Sequence, residues 1–188
     1  VEIIKNGKAL LLKLKNPQQV TAVIPKSKEL PDNKVLVNWG VDEARVLNNL
    51  NINAPSPIQK QYRWTGSLTP FAHQKTTSAF LTLNRKAFCF NEQGTGKTAS
   101  AIWASDFLLD RKIIKRVLVV CPLSIMDSAW RDDLFTFAPH RSVDVAYGSS
   151  KQRKQIIEQG AEYVIINYDG VAIVADEISK GGFDLIIV

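Results

Sequence analysis

The apolar positions along the chain change rhythm once. Up to about residue 66 the runs are short and mixed. Residues 1–14 read as two strands around Asn6-Gly7, a pair suited to a type I′ turn because both central positions need positive φ. Residues 20–24 give another β-rich run closed by Pro25, residues 26–33 a polar loop, and residues 35–37 a third strand segment. Residues 42–50 place Val46, Leu47 and Leu50 on one helical face, with Asp42 and Glu43 in the first turn. Residues 51–57 carry two prolines and little periodicity, which marks a linker. Residues 1–66 are therefore expected to form a small β-rich accessory module with one helix.

From residue 67 onward, short apolar runs alternate with longer helical segments. The runs are 87–90, 117–121, 143–147, 163–167 and 185–188; the helical segments are 97–110, 125–137, 151–159 and 171–179. A βαβα alternation implies a parallel sheet with helices on its faces. The unbroken run Val117-Leu118-Val119-Val120 fits a strand buried on both sides. In such sheets ligands bind at the carboxyl ends of the strands. Residues 67–188 are expected to be one α/β domain.

Composition adds limits. The 188 residues are 45% hydrophobic and 22% charged, ordinary for a globular chain. No apolar run approaches the ~18 residues of a membrane span, and no secretory signal pattern is visible. Cys89 and Cys121 each sit in an apolar run without zinc spacing, and two histidines are too few for a histidine metal site. These features predict a cytoplasmic protein with reduced core thiols. The net charge of +6 permits a phosphate-bearing partner without proving one.

The sharpest signal is Asn91-Glu92-Gln93-Gly94-Thr95-Gly96-Lys97-Thr98. It fits the phosphate-loop pattern G-x-x-x-x-G-K-[ST] except that Asn91 stands at the first glycine position. Gly94 and Gly96 let the backbone turn tightly and bring N–H groups close to phosphate oxygens. The helix that follows aims its positive end at the same place. Lys97 supplies a charge for the β- and γ-phosphates, and the Thr98 hydroxyl is a ligand for Mg²⁺. The predicted ligands are ATP and Mg²⁺, bound by Gly94, Thr95, Gly96, Lys97 and Thr98, with Lys97 the catalytic cation. A glycine turn between strand and helix is the plain alternative, and the apolar run before the loop and the helix after it argue against that.

Further segments, in order, resemble helicase superfamily 2, and within it the Swi/Snf-type DNA translocases, possibly phage-encoded ones. Residues 91–98 resemble that family's D-E-M-G-L-G-K-T loop. Leu68-Thr69-Pro70-Phe71-Ala72-His73-Gln74 is similar to the stretch whose glutamine reads adenine. Residues 117–124, ending Cys121-Pro122-Leu123-Ser124 and followed by Trp130, resemble the next motif. Val164-Ile165-Ile166-Asn167-Tyr168 resembles the strand ending in S-Y, and residues 183–188 the strand leading to the Asp-Glu motif. The resemblance implies a RecA-like ATP-binding domain over residues 67–188, acting in the full-length protein as a helicase or translocase ATPase on nucleic acid, DNA ahead of RNA. It also implies that the Asp-Glu pair and a second RecA-like domain lie outside these residues. The expected state is a monomer in a bacterial or phage-infected cell, binding nucleotide with little turnover.

The same resemblance gives Gln74 an adenine-reading role, against an ordinary surface glutamine, and His73 a part in orienting the loop. Ser124, Asn167 and Tyr168 are expected to touch a nucleic-acid backbone; helix capping for Ser124 and sheet-end packing for Tyr168 are the simpler readings. Tyr62, Arg63 and Trp64 either stack on adenine or hold the accessory module in place. Two basic clusters, Arg111, Lys112, Lys115 and Arg116, and Lys151, Arg153 and Lys154, read as solvated helix ends. Trp103 and Trp130 read as core. A competing reading makes residues 1–66 a non-catalytic module that binds nucleic acid or protein; a small-molecule kinase would need a lid and acceptor pocket that the sequence does not show.

Overall fold

The computed structural model describes residues 1–188, which divide into two compact units: 1–63 with 78–88, and 64–77 with 89–188. The first unit contains a four-stranded antiparallel sheet. Its strands β1 (Glu2–Ile4), β2 (Ala9–Lys13), β3 (Lys28–Leu30) and β4 (Lys34–Asn38) lie in the order β1-β2-β4-β3. Ile4 pairs with Ala9, so the connection is four residues long and passes through a 3₁₀ turn with positive φ at Lys5, Asn6 and Gly7. The expected two-residue turn is therefore replaced by a wider one. Leu10 and Leu12 on β2 and Val35 and Val37 on β4 point inward at period two. They meet Trp39, just after β4, and Ala44 and Leu47 of helix α2 (Val41–Asn49, whose first turn carries Asp42 and Glu43).

Two further expectations for this unit fail. Residues 18–21 form a short helix, α1 (Gln18–Thr21), where a β-rich run was expected at residues 20–24. Val20 and Ile24 are both buried in the core and Ile24 N–H bonds to Val20 O, so one face of a helical turn satisfies the apolar pair. The polar stretch 26–33 contains β3, an edge strand with all three residues exposed; its ladder is set by β4, not by burial. The linker 51–57 has no ladder of its own but is held in place. Asn48 Nδ2 donates to Ala54 O (2.8 Å), Trp39 Nε1 donates to Pro55 O (2.8 Å), and Ser56 and Thr82 share a buried hydroxyl bond (2.6 Å). Helix α3 (Ile58–Gln61) follows.

Helix α4 (Ala72–Leu83) gives its residues 72–77 to the second unit and 78–83 to the first. The second unit is the expected α/β layer structure. Helix α5 (Lys97–Asp110) leads to β5 (Val117–Cys121), a 3₁₀ turn at Leu123–Ile125, a π-helical turn at Met126–Arg131, and α6 (Asp132–Phe137). Then come β6 (Val143–Val145), α7 (Ser150–Glu158), β7 (Tyr163–Asn167), α8 (Tyr168–Ile173), α9 (Ala175–Lys180) and β8 (Leu185–Ile187). The four strands are all parallel, in the order β6-β7-β5-β8. One sheet face, with Leu118, Val120, Val164 and Ile166, packs on Ile157 of α7, Val171 of α8 and Ile178 of α9. On the other, the Tyr163 hydroxyl meets Ser105 of α5 at 2.8 Å. Helices therefore cover both faces, and the β5 and β7 residues are all buried.

The apolar run 87–90 forms no strand. Phe88 and Phe90 are 81% and 89% exposed, and no ladder includes them. An apolar run becomes a strand only where a neighbouring strand accepts its backbone groups, and the four strands present pair among themselves. The segment expected as one helix over 171–179 is two, because Val174 (φ −128°, ψ 32°) breaks it while its side chain stays buried.

Candidate functional site

The loop at residues 91–98 turns on two glycines in left-handed backbone, Gly94 (φ +77°) and Gly96 (φ +74°). Gly96 is the residue immediately before α5, so the loop opens straight into a 14-residue helix. A side chain at Gly94 would meet nothing within 4 Å, whereas a Cβ at Gly96 would lie 2.2 Å from Gln74 Nε2. Gly94 is thus required by its φ, and Gly96 by its φ and by the close approach of Gln74. The Thr95 hydroxyl donates to Glu92 O (2.8 Å). Lys97 Nζ folds back onto the loop and donates to Asn91 O (3.0 Å) and Glu92 O (2.9 Å). Asn91, standing where the pattern has glycine, donates from Nδ2 to Thr77 Oγ1 (2.9 Å) and ties the loop to α4. Thr98 is half-buried in the first turn of α5.

The segment before α4 reaches this loop directly. Gln74 uses both ends of its amide: Oε1 accepts from Phe71 N–H (2.9 Å) and Nε2 donates to Thr95 O (3.3 Å). His73 Nε2 lies 3.1 Å from the same carbonyl. The Phe71 ring stacks on His73 (5.8 Å between centroids, 11° between planes) and is 68% exposed. The structure therefore brings Gln74, His73 and the loop together. Phe71 was not singled out in the sequence; the signal was an aromatic side chain three residues before a glutamine at a helix start.

The aromatic cluster at residues 62–64 separates. Tyr62 is buried within the first unit, to which Arg63 also belongs. Trp64 belongs to the second, where its ring meets Trp103 edge-on at 5.7 Å beneath Lys75 Nζ. Trp103 is fully buried, packs on Phe137 at 5.0 Å, and donates from Nε1 to Thr65 O (3.0 Å).

Beside it lies a charged hub that the sequence did not reveal. Asp106 of α5 has no solvent exposure. Its carboxylate accepts from Thr65 Oγ1 (3.1 Å) and Arg141 Nε (2.5 Å), and it lies 3.1 Å from His140 Nε2. Arg141 also bonds Asp110 and Glu162. Burial works against the Arg141 charge, but Asp106 and Glu162 overcome it and hold the guanidinium above its ordinary pKa. Asp106, Asp110 and His140 bring ligand atoms within 4.8 Å of one another. Arg141 already neutralises that cluster, so it reads as structural. It fixes residues 65–67 against α5 and α6: Ser67 N–H donates to Thr136 O, and Gly66 (φ +96°) leaves no room for a Cβ, which would lie 2.4 Å from Thr136 O.

At the carboxyl ends of the strands, Cys121 of β5 is level with Asn167 of β7. Ser124 is exposed in the 3₁₀ turn and its side chain caps neither turn. Tyr168 is 51% exposed, while Asn167 is buried and its Oδ1 accepts from Arg153 Nη1 (2.9 Å). Burial pushes the Cys121 thiol pKa up. The two basic clusters also divide. Arg116 lies over Phe183 and donates to Ile157 O, Ala161 O and Gly181 O near the ends of α7 and α9. Lys154 pairs with Glu177 (2.6 Å), Lys151 is exposed, and Arg153 is buried.

A sequence profile of the SNF2-related domain matches residues 73–188. The chain belongs to the SNF2-related family. It is of the Swi/Snf type within helicase superfamily 2, and the SNF2-related region contains the phosphate loop, Gln74 and all four parallel strands. Two similar proteins are ATP-dependent helicases. ATP-dependent helicase fft3 of Schizosaccharomyces pombe is 33% identical over 69 residues, 37% of this chain. A helicase of Mycoplasma genitalium is 31% identical over 77 residues, 40% of this chain. Each match spans 7% of the relative's length. Among solved structures, the Sulfolobus solfataricus SWI2/SNF2 ATPase core in complex with dsDNA is similar at 22% identity and a TM-score of 0.49, over 56% of this chain and 23% of that one. No helix is long and apolar enough to cross a membrane.

Proposed function

We propose that this SNF2-related chain supplies the ATP-binding lobe of a DNA helicase or translocase. The reading is carried by one observation: a two-glycine loop opens into α5 with Lys97 at its mouth and Gln74 docked on it. The donor set suits ATP with Mg²⁺. Backbone N–H groups in left-handed turns and the start of a long helix are a cradle for anionic oxygen. Lys97 is held by two neutral carbonyls, contacts that a phosphate oxygen would outcompete because a charge-assisted bond is stronger. Thr98 is proposed as the Mg²⁺ ligand. Bound ATP would supply the phosphoryl group whose transfer drives movement, a reaction that rests on positioning and charge stabilisation.

Gln74 is proposed to read adenine by exchanging its bonds to Phe71 N–H and Thr95 O for the base edge, with the exposed Phe71 ring as a platform beside it. Trp64 is proposed to brace this region, because its ring is engaged with Trp103. Ser124 and Tyr168 are proposed to face the nucleic-acid backbone. The free thiols of Cys89 and Cys121 suit a reducing cytoplasm. The chain alone is expected to turn over ATP slowly or not at all.

Calorimetry with a non-hydrolysable ATP analogue and Mg²⁺ tests the reading. Saturable binding by the wild type and its loss in Lys97→Ala is the expected result. Equal binding by both proteins would remove the loop from the site.

A further inference from the structure

Arg153 sits in an electrostatic position unlike that of Arg141. It is 5% exposed. Its Nε donates to Gly148 O (3.0 Å), and its Nη1 donates to Ala146 O (2.6 Å) and Asn167 Oδ1 (2.9 Å). The Tyr147 ring faces the guanidinium, 5.5 Å from its carbon to the ring centroid. These partners are two main-chain carbonyls, one amide oxygen and one ring face, with no carboxylate among them. Arg141, by contrast, meets three carboxylates. Arg116 also rests on carbonyls, but those near helix ends, where the helix dipole favours a cation. Arg153 is in the first half of α7, near the end where that dipole disfavours one.

A guanidinium stays protonated inside a protein, and removing its charge from water is costly unless an anion offsets it. The fold has nevertheless made a fitted slot for it. A Cβ on Gly170 would lie 2.3 Å from Arg153 Nη1 and 2.8 Å from Asn167 Oδ1. The slot lies at the carboxyl ends of β6 and β7, since Ala146 directly follows β6 and Asn167 is the last residue of β7, the edge where this kind of sheet takes a ligand. Ala146 N–H bonds to Ile165 O (2.8 Å), and the chain then turns at Tyr147, whose N–H bonds back to Val145 O (3.0 Å). Tyr147 is 57% exposed, and Tyr168, the residue after Asn167, is 51% exposed.

We propose that Arg153, steadied by Asn167 and covered by Tyr147, is the cationic centre of a phosphate subsite that takes a backbone phosphodiester of the nucleic-acid track. The proposal rests on the nucleic-acid reading above. Arg153 supplies the field, and its Nη2, which has no hydrogen-bond partner in the protein, is the donor left for the phosphate. Asn167 acts through Arg153 and is a positioning residue. Tyr147 and Tyr168 offer hydroxyl groups at the rim. Such a contact orients the strand and carries no sequence information.

Fluorescence anisotropy with a short labelled DNA duplex and a labelled single strand, between about 50 and 200 mM salt, tests this in the 188-residue chain. The variants are Arg153→Met, Tyr147→Glu and the double substitution, each checked for folding by circular dichroism. Tyr147→Glu sets a carboxylate beside Arg153 from an exposed position, so it decides the question even if Arg153→Met does not fold. Each single change is expected to weaken binding on the order of tenfold and to lower the salt slope by about one. The double variant should be no weaker than the worse single, because both act on one phosphate. Wild-type affinity and slope in Tyr147→Glu, or additive losses in the double variant, would overturn the subsite while leaving the nucleic-acid reading intact. A wild type that binds neither DNA would overturn both.

Discussion

Replacing Arg141 by Met should cost the second unit more stability than any other single change at its surface. The side chain is only 10% exposed and bonds Asp106, Asp110 and Glu162, as well as the carbonyl of Asp106 (3.2 Å). Met keeps much of the volume and removes every polar contact. Asp106 would then be a fully buried carboxylate that has lost its guanidinium partner, with Thr65 and His140 still beside it. Breaking a buried ion pair from one side costs about 3–5 kcal/mol, because the other charge stays behind uncompensated. Asp110 and Glu162 are near solvent and add little. Taking ~3 kcal/mol and a urea dependence of about 2 kcal/mol per molar, the midpoint should fall by roughly 1.5 M. Tryptophan fluorescence is a suitable probe, since Trp103 and Trp64 lie in the same cluster as Thr65. Asp106→Asn in the same background removes the buried negative charge, so the double variant should recover part of the loss. A midpoint for Arg141→Met within about 0.3 M of wild type, against the ~1.5 M expected from a buried pair, would refute the idea that Asp106 depends on this arginine.

Two further outcomes follow from single residues. Gly96→Ala places a Cβ 2.2 Å from Gln74 Nε2 at φ +74°; it should cost about 1–2 kcal/mol from the backbone alone and abolish ATP-analogue binding in the calorimeter. Burial raises the Tyr163 pKa well above its ordinary value. The unfolded chain therefore releases that proton first, so stability from this group is complete below about pH 10 and declines as pH rises further, by up to about 1.4 kcal/mol per pH unit. Urea midpoints between neutral and strongly alkaline pH should fall less steeply for Tyr163→Phe than for wild type.

Local signals were enough for the elements whose residue pattern is self-contained. The turn at residues 91–98 is legible because two glycines at this spacing before an apolar helix suit left-handed backbone, found at Gly94 and Gly96. The strands β5 and β7 are legible because a run buried on both faces must be apolar throughout. The helix α2 is legible from one face and its acidic first turn. Only the tertiary structure decided the rest. Residues 87–90 are as apolar as a buried strand, yet a ladder requires a neighbour, and sequence does not say whether one is present. Residues 20–24 fit a strand or a helical turn equally well until the core around Val20 and Ile24 is assembled. Arg153 and Lys154 are adjacent and alike in sequence; one is buried against Asn167 and the other pairs with Glu177 at the surface. Asp106 reads as a polar position on a helix until Thr65, His140 and Arg141 converge on it from 34 to 41 residues away. Charge burial is a property of what surrounds a side chain, and its neighbours here come from distant parts of the chain.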